Sequence, residues 1–352
     1  RNGIRGRLLD NICRPDMSSH LRTLLLGTAH IERPAIVGWG GLRVGAVITA
    51  LTCLTVAVGE PKLAMGLILG ALFVGVAEIG EGIGRRWRTM AWVNAWLMLS
   101  TFMAVLVSEH PVLSVLTSTV VAAIAGLAGL AGPRAALAGL LCLVAFTITV
   151  GAPELPRDAV QVSLLVGLGG VVMTVVTVVP HLFRHAKQIS VANTVPVSPW
   201  NQLKGRLTWT EPFVRYAARL AVAIAVATTI SQITTSPHDY WLPMTVAWVT
   251  KANLDGTVQR VAARVLGTVV GLLCCAALLF GVGVTGYPAA IICGVAAGIT
   301  AAFIWANYSI AVATITVLVV VVFALDGDAV GEDLIVRLVS TLGAGVIAVA
   351  VS

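Results

Sequence analysis

About a dozen times along the chain, a run of apolar residues recurs that is long enough to cross a lipid bilayer. No other feature constrains the fold as much. Residues 112–130 and 265–284 each pass about 20 positions without a charge. A helix of that length, at ~1.5 Å per residue, spans a ~30 Å hydrocarbon core. One such run fits a signal peptide or a buried helix, but a dozen do not. Composition agrees, with 58% hydrophobic and 11% charged residues, where a soluble domain carries roughly 25% charged residues. The fold class expected is all-α: a polytopic membrane protein with twelve transmembrane helices.

The spans are read at 36–58, 61–79, 89–107, 111–131, 133–151, 158–181, 212–232, 239–253, 262–282, 285–304, 307–325 and 333–352. Pro61, Pro111 and Pro212 stand in first helical turns, where a missing N–H costs nothing. Basic residues set the orientation. With the N-terminus in the cytoplasm, the inner loops hold Arg85, Arg86, Arg88, Arg134, Lys187, Lys204, Lys251 and Arg260, and the outer loops are acidic apart from Lys62 and Arg157. The net charge of +7 is therefore a cytoplasmic-face signature and not a nucleic-acid footprint. Arginine greatly outnumbers lysine, which hints at a GC-rich bacterial genome.

Segments about 175 residues apart resemble one another. Arg43 opens the first span and Arg219 the seventh; "GEGIGRRWR" after the second span answers "LDGTVQRVAAR" after the eighth. An even number of spans per half gives a parallel repeat. The expected organisation is a cytoplasmic segment 1–35, a first six-helix repeat 36–181, a cytoplasmic linker 182–211 and a second repeat 212–352.

The richest stretch is residues 240–271, "YWLPMTVAWVTKANLDGTVQRVAARVLGTVVG". Pro243 falls inside an apolar span, where it breaks a helix beside a cavity or simply kinks it near the outer end. Tyr240 and Trp241 read as aromatics at the outer interface. Lys251, Asp255, Arg260 and Arg264 cluster at the inner end, and the i,i+4 spacing of Arg260 and Arg264 puts both on one helix face, suited to a carboxylate or phosphate. Anchoring by positive inner charge needs no ligand and explains the same cluster. Arg43 and Arg219 lie a turn inside their spans, as substrate contacts or as snorkelling residues. Candidate substrate contacts are thus Trp241, Pro243, Lys251, Arg260, Arg264, Thr268, Arg43 and Arg219, and candidate proton carriers are Glu78, Glu81 and Asp255. Glu78 serves either as a proton carrier or as the partner of Arg85 or Arg86, and an i,i+4 ion pair with Asp333 accounts for Arg337.

Other signals are bland. The six cysteines lack CxxC spacing, no histidine pair has metal-ligand spacing, and there is no Walker A loop or nucleophile motif. Neither an enzyme nor a cofactor or metal protein is expected. "GLILG" (66–70), "GTVVG" (267–271) and "GVAAG" (294–298) are faces for close helix packing.

The stretch 240–273 resembles the signature of the fusaric acid resistance-like (FUSC) and aromatic acid exporter superfamily: a Tyr-Trp pair opening a span, then R-x-x-G-T-x-x-G at Arg264, Gly267, Thr268 and Gly271. "RLVSTLGAG" (337–345) is similar to the family's closing helix and Arg219 to its opening one. The resemblance implies proton-driven export of aromatic carboxylate-like anions across a bacterial inner membrane, with a small organic anion and the lipid bilayer as partners and a homodimer by analogy. Other readings are an anion channel, as in plant relatives, or a membrane component of a cell-envelope or lipid-handling complex. This chain departs from the larger members in having a linker of about 30 residues in place of a cytoplasmic domain between the halves.

Overall fold

The computed structural model describes residues 31–78, 83–152, 158–182, 208–234, 238, 240–281, 284–326 and 330–352. Most of segment 1–35, Glu81 and most of the linker lie outside these residues. Among the described residues every regular element is helical. The α-helices are α1 (Gly38–Val58), α2 (Leu63–Val76), α3 (Ile83–Ser108), α4 (Pro111–Leu127), α5 (Pro133–Gly151) and α6 (Ala159–Leu182). They continue as α7 (Pro212–Ile233), α8 (Trp241–Val249), α9 (Leu254–Gly281), α10 (Gly286–Phe303), α11 (Tyr308–Asp326) and α12 (Val330–Val351). Pro111, Pro133 and Pro212 start α4, α5 and α7, and Gly59 closes α1 in the left-handed region at φ 79°.

Nine helices are long and apolar enough to cross a membrane among the described residues. Leu63–Val76 and Ile335–Val351 are shorter apolar stretches, and α8 has nine residues, a rod of only ~14 Å. The surface is that of a membrane protein. Val112, Leu116, Val120 and Ile124 form an exposed apolar stripe along α4, and Ile335, Val339, Leu342 and Val346 another along α12. Water would penalise such stripes, whereas lipid does not. The chain is a multi-pass membrane protein.

The core is built on the two shortest helices. Twelve of the fourteen residues of α2 are buried, as are all nine of α8. The principal helix pairs are α1 with α10, α4 with α7, α2 with α6, α8 with α12, α3 with α5 and α6, and α9 with α11 and α12. The small-residue faces make several of these contacts close. A Cβ on Gly271 would stand 2.6 Å from the Ala313 carbonyl oxygen, and one on Gly298 2.9 Å from that of Gly41. Gly70 abuts the Val166 carbonyl in the same way. All three glycine motifs therefore serve contacts within the chain.

Candidate anion site

At one end of the bundle, the two arginines repeated in the sequence do related work. Arg43 on α1 donates from Nη2 to Glu78 Oε1 at 2.7 Å, and Arg86 Nη1 lies 2.9 Å from the same oxygen. Glu78 follows the end of α2 and is buried, so two guanidinium groups tie that end down. Arg219 on α7 holds the end of α8 instead, through the Ala252 carbonyl, and also donates from Nη1 to the Ser352 carbonyl at 2.8 Å. Arg43 and Arg219 are thus turned inward onto neighbouring helices. The partner of Glu78 from across the bundle, Arg43, could not be read from local spacing; Arg85 has no described side chain.

The interruption near α8 differs from the expected one. Pro243 lies in the first turn of α8, where the helix begins, so its missing N–H breaks nothing. The helix ends at Val249, and Thr250 turns extended (ψ 124°) before α9 starts at Leu254. Pro243 lines a small recess with Ser118, Thr147, Thr228 and Tyr240. Trp241 and Tyr240 do not face lipid: they are 1% and 2% exposed.

A small cavity of about 50 Å³ lies among α2, α5, α8, α9, α11 and α12. Its walls are apolar, including Met65, Leu69, Phe73, Met244, Trp248 and Leu318, except for two arginines, Arg264 and Arg337. Arg264 is 3% exposed and Arg337 2%. Arg264 reaches Tyr308 Oη and Thr245 Oγ1, each at 3.4 Å, and its Nε has no hydrogen-bond partner. Arg337 stacks over Trp241, with its guanidinium carbon 4.7 Å from the ring centroid, and both its Nε and Nη1 lack partners. Neither arginine has a carboxylate partner among the described residues. The Asp333 side chain lies outside them.

Trp241, which carries Arg337, belongs to a stack of rings. His238 lies 4.8 Å from the Trp241 centroid and 4.7 Å from that of Phe323. Arg260 sits 3.6 Å above the Tyr308 ring, and half-buried Lys251 is close enough to Arg260 to feel its charge. Gly267 and Gly271 let α9 approach Ser309 and Ala313, which brings Tyr308 beside both arginines of α9. Thr268, a turn beyond Arg264, is buried with an unpaired hydroxyl. Asp255 is exposed in the first turn of α9, where it complements the helix dipole. No cluster suited to a metal ion occurs among the described residues.

The two arginines of the cavity thus come from α9 and α12, in the half whose sequence is the more distinctive, while α2 and α5 complete its walls. Residues 222–351 match the family described as fusaric acid resistance protein-like. Over these residues the expected family is borne out. Within it fall Arg264, Tyr308 and Arg337 as well as the R-x-x-G-T-x-x-G motif. The chain is also similar to the uncharacterized protein slr1298 of Synechocystis, at 30% identity over 43% of this chain and 20% of that protein. The inner membrane protein YccS of Escherichia coli is 32% identical over 21% of this chain and 10% of its own length. The uncharacterized protein YhfK of the same organism is 39% identical over 20% and 10%. The matched segments therefore span a fifth or less of these relatives. No solved structure matches the chain.

Proposed function

We propose that this chain is a secondary transporter exporting organic, aromatic carboxylate-like anions across a bacterial inner membrane, driven by the proton gradient, with its N-terminus in the cytoplasm. One observation carries the proposal: two buried guanidinium groups share an apolar cavity and have no carboxylate partner among the described residues. A buried charge costs several kcal/mol unless it is paired, and within a membrane it marks a ligand path by default. An anion with an apolar body meets both needs, its head taken by planar donors and its body by Leu, Met, Phe and Trp side chains. Half-buried Lys251 and Arg260 would gather the anion at the cytoplasmic end and hand it to Arg264 and Arg337.

In this scheme all twelve helices belong to the membrane region, α2 and α8 being short because helices wrapped by protein need not match the bilayer. Two parallel repeats are supported by the packing. The pairs α1·α10, α2·α6, α3·α5, α3·α6 and α4·α5 recur six helices later as α7·α4, α8·α12, α9·α11, α9·α12 and α10·α11. Arg43, Arg219 and Glu78 act as clamps on the ends of α2 and α8, about which the halves rock.

Purified protein in proteoliposomes should move benzoate when a proton gradient is imposed, and Arg264→Ala should slow this at least tenfold, as truncation of a buried charge contact typically does. Unchanged transport in that variant removes the site. Single-channel currents indifferent to the proton gradient would make the protein an anion channel instead.

A further inference from the structure

One side chain, Tyr308, the first residue of α11, touches both half-buried Arg260 and buried Arg264. Its ring lies against the Arg260 guanidinium at 3.6 Å, and its hydroxyl accepts from Arg264 Nη1 at 3.4 Å. The phenol therefore occupies the contact surface of both cations that an anion passing from one to the other must use. The cavity lined by Arg264 and Arg337, about 50 Å³, has room for a water or two and not for a carboxylate with an apolar body. Arg337, on the same cavity, is covered by Trp241, which stacks in turn on His238 and Phe323. Each cavity arginine is thus engaged by an aromatic side chain, Arg264 by Tyr308 and Arg337 by Trp241.

We infer that Tyr308 is the inner gate and a charge filter of this site, a step that rests on the anion-transport proposal above. Swinging the ring aside forfeits its stacking on Arg260 and its hydrogen bond to Arg264. An entering anion replaces both with charge-assisted hydrogen bonds, whereas a neutral molecule of the same size replaces neither. Opening is therefore favoured by the charge of the ligand, since a ligand shifts an equilibrium only through its differential affinity for the two states. The position suits the task. Tyr308 follows the turn that ends α10, and α9 and α11 are held together at Gly267 and Gly271 just beyond it, so the ring can move while the helices stay packed.

The test uses the full chain in detergent with its native cysteines removed and Met244→Cys placed in the cavity wall. Modification rates are measured with an anionic reagent, 2-sulfonatoethyl methanethiosulfonate, and with neutral methyl methanethiosulfonate, each normalised to its rate with free thiol. With Tyr308 present, the anionic reagent should hold a normalised advantage. Tyr308→Ala should speed both reagents, by about tenfold for the neutral one, and erase the advantage. Tyr308→Phe, which keeps the ring on Arg260 and loses only the hydroxyl, should fall between the two. Rates unchanged in both variants overturn the gate. So does acceleration by Trp241→Ala alone, which would put entry on the side of Trp241. The readout needs no transported substrate, so a gate confirmed here would stand even if benzoate transport failed.

Discussion

Methionine at position 337 would keep most of the volume of the arginine stem while discarding its charge, so Arg337→Met separates a ligand-binding arginine from a structural one. The guanidinium is 2% exposed, and its Nε and Nη1 have no partners. Each orphaned donor costs ~1–3 kcal/mol, and removal of the ion from water costs several more. The stacking on Trp241 at 4.7 Å returns up to ~2 kcal/mol. Arg264, on the same cavity, adds repulsion. Apolar replacement of such buried charge typically stabilises by ~1–4 kcal/mol. For a chain this long that raises the unfolding midpoint by roughly 1–5 °C. The assay is thermal unfolding of purified protein in detergent, with and without benzoate. Ligand at a hundredfold excess over its Kd should stabilise the wild type by ~2.7 kcal/mol and leave Arg337→Met unmoved. A variant that melts lower than wild type yet still responds fully to benzoate would refute this reasoning and make Arg337 a structural post for Trp241.

Two further outcomes test the scaffold. Gly271→Val, whose Cβ would fall 2.6 Å from the Ala313 carbonyl, should cost ~1–3 kcal/mol in the same melt by forcing α9 from α11; an unchanged midpoint would mean that these helices are not in close contact. Glu78→Gln leaves Arg43 and Arg86 facing each other at 24% and 19% exposure and should cost roughly 1–3 kcal/mol, less than a fully buried pair because solvent screens part of it. Full stability in that variant would remove the clamp.

The helices were legible because apolar runs and first-turn prolines are local signals. The glycine faces were legible as packing devices, though which helices they join was not. Arg264 could be singled out because it stands at the edge of an apolar run on a basic helix face. Arg337 escaped because Asp333, one helical turn earlier, offers a sufficient local explanation, whereas its contact with Trp241, almost a hundred residues away in sequence, leaves no local signal. Tyr308 escaped for a related reason: the turn before it is uncharged, and a lone tyrosine at a helix start reads as an interface aromatic. Its role depends on the approach of α9 to α11, a tertiary event. Trp241 was found as a residue and misplaced as an environment, since a Tyr-Trp pair opening a span looks the same whether it faces lipid or core.

The most direct measurement is an experimental structure of the full chain with 4-iodobenzoate, whose iodine marks the ligand unambiguously. The carboxylate is expected between the guanidinium groups of Arg264 and Arg337, with the ring among Met65, Phe73, Met244 and Trp248 and the Tyr308 or Trp241 side displaced to make room. A ligand bound elsewhere, with Arg264 and Arg337 still facing an empty cavity while benzoate is transported, would contradict it.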